Sequence, residues 1–157
     1  MNKVLFSTLI IIAIGASLWG ITPPADVIID IPESVCQDIE TVVVNITIKS
    51  NIEDTIALAL DQKTPLIHIK ITDCDNQILL EKDIGLEIFE SMLGYIIEIK
   101  SAVLKVTPFG SQNIKFIWVT KHALSKTGKY TIEAFMPSLK AYAKKFLFVK
   151  NVRNNLA

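Results

Sequence analysis

The stretch "WVTKHALSKTGKY", Trp118 to Tyr130, brings Trp118, His122, Ser125 and Tyr130 within thirteen residues. A serine three residues from a histidine suggests a nucleophile and its base. Nucleophilic catalysis also needs a third group to orient the base, and a turn that exposes the serine. No G-x-S-x-G turn surrounds Ser125, and both residues fall in a polar connection between two strand-like segments. The other histidine, His68, stands on the polar face of a strand-like segment. Asp73 and Asp75 flank Cys74 and suggest a calcium loop, but the glycine and the distal glutamate of an EF-hand are absent. "DCDNQ" (73–77) therefore reads as an Asx-rich hairpin turn. Without a C-x-x-C or a Cys/His cluster, no structural zinc is expected. The six glycines, at 15, 20, 85, 94, 110 and 128, form no phosphate loop or dinucleotide fingerprint. No catalytic residue, metal or cofactor is expected, and the chain is not read as an enzyme.

Half of the 157 residues are apolar and a fifth are charged, a folded composition long enough for one domain with a sizeable core. Residues 1–25 carry a single charge, Lys3. "MNK" followed by "VLFSTLIIIAIGA" has the order of a secretory signal, with Gly15, Ala16 and Ser17 as a small-residue cleavage site. The uncharged run is also long enough to anchor the chain through residues 4–21, with Trp19 at the interface. Residues 1–25 are thus a signal peptide or a membrane anchor, and residues 26–157 form an extracytoplasmic domain. Such a domain is secreted or held at the cell surface. An even cysteine count there predicts one disulfide, Cys36–Cys74. It would close a loop of about 39 residues and stabilise by roughly 4 kcal/mol. Asn45-Ile46-Thr47 is a glycosylation sequon.

The net charge is zero, but it is unevenly distributed. Asp26 to Ile99 holds 15 acids and 4 bases, a net of −11; Lys100 to Ala157 holds 11 bases and 1 acid, a net of +10. Acidic strands beside basic strands in one sheet would pair across it. A dipolar molecule would also attract its own copies. The basic half lacks aromatic–basic motifs, so no nucleic-acid partner is expected.

The elements that position these residues read mainly as strands. "TVVVNITIK" (41–49) alternates, with Val42, Val44, Ile46 and Ile48 on one face. "LIHIKITD" (66–73) places Ile67, Ile69 and Ile71 inside, and "ILLEKDI" (78–84) follows as its hairpin partner. Further strands are expected at 27–31, 55–61, 102–107, 113–121, 129–135 and 143–150. "LEIFESMLGYIIEI" (86–99) instead spaces Leu86, Phe89, Leu93 and Ile97 helically, which predicts a short helix over 86–93. Seven to nine short strands and one helix predict an antiparallel two-sheet β-sandwich, preceded by an N-terminal hydrophobic helix.

"TPFGSQNIKFIW" followed by "GKYTIEA", with "VVVNITIKS" and "LIHIKITDCDNQIL" before them, resembles the immunoglobulin-like domains of secreted bacterial and archaeal proteins. It is similar in particular to the family named after the intracellular proteinase inhibitor of Bacillus, over residues 41–135. The export segment and the apolar stretch at 84–100 depart from that family, and no reactive-site residue carries over. The resemblance implies an immunoglobulin-like fold. It also implies a structural corner, in which a tyrosine just after the turn into a late strand bonds the connection before it. Here Trp118 and Tyr130 would face the core, Leu124 would dip into it, and Gly128 would allow the turn. The function expected is binding of a protein partner or self-association. The alternatives are a proteinase inhibitor, or a surface filament subunit that donates "ADVIIDI" (25–31) to a neighbour.

Overall fold

The computed structural model describes residues 23–61, 63–86, 101–121 and 123–151. Residues 1–22 of the apolar leader lie outside this set, as does the helix expected over 86–93 apart from Leu86, which sits in a turn. The described residues form an all-β fold. Its ten strands are β1 (Ala25–Asp30), β2 (Ser34–Cys36), β3 (Thr41–Ser50), β4 (Ile56–Asp61), β5 (Ile67–Thr72), β6 (Ile78–Ile84), β7 (Ser101–Val106), β8 (Ser111–Val119), β9 (Gly128–Met136) and β10 (Ala141–Lys150).

The strands group into three sheets, ordered β1-β3-β8, β2-β10-β9-β5-β6 and β4-β7. Several sheets around one core are consistent with a β-sandwich, although the sequence predicts two sheets. The two-stranded sheet lies close to β8, where Gln112 Nε2 donates to the Lys105 carbonyl of β7 at 3.2 Å. Pairing is antiparallel except between β2 and β10, which run parallel over Phe148↔Ser34, Val149↔Val35 and Lys150↔Cys36. β2 has only three residues and little periodicity, so the sequence does not predict it.

Alternation of β-branched residues explains the layers. Val42, Val44, Ile46 and Ile48 of β3 and Ile67, Ile69 and Ile71 of β5 are all buried and belong to one hydrophobic cluster. Each such side chain contributes roughly 1.5–3 kcal/mol of transfer free energy. Trp118, Tyr130, Ile132 and Leu147 join the same cluster from β8, β9 and β10. "ADVIIDI" is used within its own chain: β1 pairs along its whole length with β3, from Ala25↔Ser50 to Asp30↔Asn45.

The expected disulfide is corrected by the strand order. Cys36 and Cys74 are not joined to each other. Cys36 ends β2, whereas Cys74 lies in the β5–β6 turn beside Gly128 of β9. β10 runs between β2 and β9. Two strand spacings of about 4.8 Å each exceed the roughly 7 Å Cα separation that a disulfide spans.

Candidate functional site

The stretch from Trp118 to Tyr130 forms a corner between β8 and β9. Trp118 and Leu124 are buried at its two sides, and Tyr130 is fully buried. The Tyr130 hydroxyl donates to the Lys126 carbonyl at 2.9 Å. Burial pushes the Tyr130 phenol above its usual range, which keeps it a neutral donor. Gly128 takes φ of 140°, and a Cβ there would sit 3.0 Å from the Cys74 Cβ. Glycine therefore serves both the backbone turn and the close approach of the β5–β6 turn.

Lys126 ties this corner to the β5–β6 turn. Its Nζ lies 3.1 Å from Asp73 Oδ2 and also bonds Asp75 Oδ2. The buried Asp73 carboxylate accepts the Asp75 and Gln77 backbone N–H groups at 2.8 and 2.9 Å. The Gln77 N–H and the Lys126 ammonium hold Asp73 below the usual carboxylate range, while the two carboxylates push Lys126 up. Asp73 is thus committed to the turn and to Lys126. Among the described residues, no group of three His, Cys, Asp or Glu side chains is arranged to hold a metal. Ser125 is exposed, and its carbonyl accepts Gln37 Nε2 at 3.0 Å. His122 lies outside the described residues.

A second set of outward-facing chemical groups lies elsewhere, on the outer face of the five-stranded sheet. Alternation in β10 buries Leu147 and Val149 and turns Tyr142, Phe146 and Phe148 outward. In β9 it buries Ile132 and Ala134 and leaves Glu133 and Phe135 on the same outer face. Phe135, Tyr142, Phe146 and Phe148 remain 39%, 55%, 41% and 50% exposed. Lys129 Nζ lies 4.3 Å and Lys144 Nζ 5.7 Å from the Phe146 ring centre, so cations approach this ring on the solvent side.

Polar groups fill the rows between these rings. Register aligns Lys144, Glu133, Lys70 and Glu81 across β10, β9, β5 and β6. The next row aligns Tyr142, Phe135, His68 and Asp83. Lys144 Nζ is 3.6 Å from Glu133 Oε1, which also accepts the Tyr142 hydroxyl. The Tyr142 hydroxyl, ahead of Lys144, lowers the Glu133 pKa; Glu133 in turn pushes the phenol up to about 12. His68 places Nδ1 2.8 Å from Asp83 Oδ1 and Nε2 3.1 Å from Glu81 Oε1. These carboxylates, Asp83 foremost, raise the His68 pKa. With both ring nitrogens engaged, His68 is not poised as a base for a nucleophile.

This face is not evident from motif spacing. Its only local signal is "FLFV" (146–149), where period two puts both phenylalanines on one side. The opposite sheet turns Ile28, Ile117 and Val119 outward, with the sequon residue Asn45 paired between Asp30 and Lys115. Among the described residues, no helix is long and apolar enough to cross a membrane.

No family model and no curated protein matches the chain. Solved structures with partial similarity include a cycloisomaltooligosaccharide glucanotransferase from Paenibacillus sp., at TM-score 0.45 and 10% identity. A β-glucosidase from Listeria innocua matches at TM-score 0.41 and 10% identity. Each match covers 80% of this chain but only 14% and 16% of those much longer enzymes. A structural-genomics target, SoR45, matches at TM-score 0.30 and 16% identity, covering 80% of both chains.

Proposed function

We propose that the chain is an extracytoplasmic, immunoglobulin-like module that works by binding a protein rather than by catalysis. Its recognition surface is the outer face of β2-β10-β9-β5-β6. The strand order supports the fold reading. Two hydrogen-bonded groups, β1-β3-β8 and β2-β10-β9-β5-β6, follow the division of an immunoglobulin sandwich, with β3, β5, β8, β9 and β10 in the places of strands B, C, E, F and G. The bond from Tyr130 to Lys126 has the geometry of that fold's tyrosine corner. The charge-poor leader, as a signal peptide or an anchor through residues 4–21, supports export to the cell surface or beyond.

One observation carries the binding assignment: four exposed aromatic rings share one sheet face with an in-register row of alternating charges. Aromatic residues are enriched at protein interfaces, where they supply contact area at little entropic cost. The opposite face mixes Ile28, Ile117 and Val119 with Asp30 and Lys115 and carries the sequon, so a glycan there would cover it. The test compares two double variants recovered from native cells. Phe146→Ser with Phe148→Ser should lose the co-purifying partner while keeping the native melting temperature. Ile117→Ser with Val119→Ser should retain it. Equal retention by both would overturn the assignment.

A further inference from the structure

Resting on that reading of the face, we infer that it binds a second copy of this chain, docked face to face about a two-fold axis running along the strands between β9 and β5. The register carries the inference. Across the sheet, Lys144, Glu133, Lys70 and Glu81 alternate in sign, plus, minus, plus, minus. A two-fold axis along the strands reverses this order in the second copy. Lys144 then faces Glu81 of the second copy, and Glu133 faces Lys70 of the second copy. All four positions meet an opposite charge.

The neighbouring row obeys the same operation. Tyr142, Phe135, His68 and Asp83 lie in that order, so reversal sets the Phe135 ring against the imidazole of the second copy. An axis running across the strands along this row would instead set Lys144 on Lys144 and Glu133 on Glu133, which the repulsion of like charges disfavours. An axis along the strands also suits sheet geometry. Packed sheets keep their strands within about 30° of each other and about 10 Å apart, a gap that facing lysine and glutamate side chains can bridge. Such an isologous contact uses the same patch on both subunits and closes at two copies.

Charge reversal with exchange tests it. Lys70→Glu sets the new carboxylate at position 70 against Glu133 of the second copy, twice per dimer. Glu133→Lys sets the new ammonium at position 133 against Lys70 of the second copy, also twice. Sedimentation of the full native chain in mild detergent should show a dimer, and each single variant should weaken it at least about tenfold. An equimolar mixture of the two variants should restore dimers containing one chain of each, resolved by native mass spectrometry. Lys115→Glu, on the opposite face, should leave the dimer unchanged, and all variants should melt within a few degrees of the native chain. A native chain monomeric at about 100 μM, single variants that dimerise normally, or a mixture that fails to restore dimers would each overturn the inference. If the chain is monomeric and the Phe146/Phe148 variant still loses a co-purifying protein, the recognition face stands and only self-association falls.

Discussion

Replacing Tyr130 with phenylalanine isolates one hydrogen bond at the corner. The ring is fully buried, and phenylalanine fills the same volume, so packing is preserved. What is lost is the bond from the hydroxyl to the Lys126 carbonyl, 2.9 Å long. A buried acceptor stranded without a donor costs about 1–3 kcal/mol. Lys126 is only half-buried, so water can reach its carbonyl, and the loss belongs at the low end, about 1 kcal/mol. For a domain of this size that is a fall of about 3–6 °C in Tm, or about 0.5 M in urea midpoint. Urea titration followed by tryptophan fluorescence suits the measurement, because Trp118 is buried in the same corner. Tyr142→Phe is the matched control. Its hydroxyl bonds Glu133 on the exposed face, so its loss should cost less than about 0.5 kcal/mol. A Tyr130→Phe midpoint equal to the native one, or a larger effect from Tyr142→Phe, would show that the Tyr130 hydroxyl does not stabilise the corner.

Gly128→Ala should destabilise by more than about 1 kcal/mol, because the backbone there takes φ of 140° and the new Cβ meets the Cys74 Cβ at 3.0 Å; a neutral or raised Tm contradicts this. The folded-state pKa of Asp73 is depressed, so its contribution is present above its unfolded value near 4 and is lost as pH falls through the folded value. Asp73→Asn should therefore lower stability at pH 7 and flatten the acid limb of the stability–pH curve; an acid limb of native steepness counts against it. A reducing agent should leave the Tm of the purified chain unchanged, because Cys36 and Cys74 are not joined; a drop of many degrees on reduction would restore the disulfide.

The parts of the fold legible in the sequence are those whose signal is local. Isoleucine or valine at every second position of 42–48 and 67–71 places both strands and their inner faces, because period two is a property of the strand itself. The buried ends of the corner, Trp118 and Tyr130, are placed by the same period. What escapes depends on strand order. β2 exists because three residues lie beside the end of β10, a long-range pairing with no local pattern. The parity of two cysteines suggests a bridge, but only the order β2-β10-β9-β5 shows how far apart they lie. The proposed recognition face escapes for the same reason. Lys144, Glu133, Lys70 and Glu81 come from four separate segments, and only the sheet register makes them one row. "WVTKHALSKTGKY", the most conspicuous cluster of chemical side chains, forms the joint that holds β9 against the β5–β6 turn.

Partners are proposed to meet this chain on the outer face of the five-stranded sheet. A photo-crosslinking amino acid placed at Phe148, and separately at Ile117 on the opposite face, tests this directly in native cells. Both positions are about half exposed, so access to each is comparable. A discrete crosslinked product is expected from position 148 and none from position 117, with the product mass telling a second copy from another protein. Crosslinking from position 117 alone, or equally from both, would contradict it.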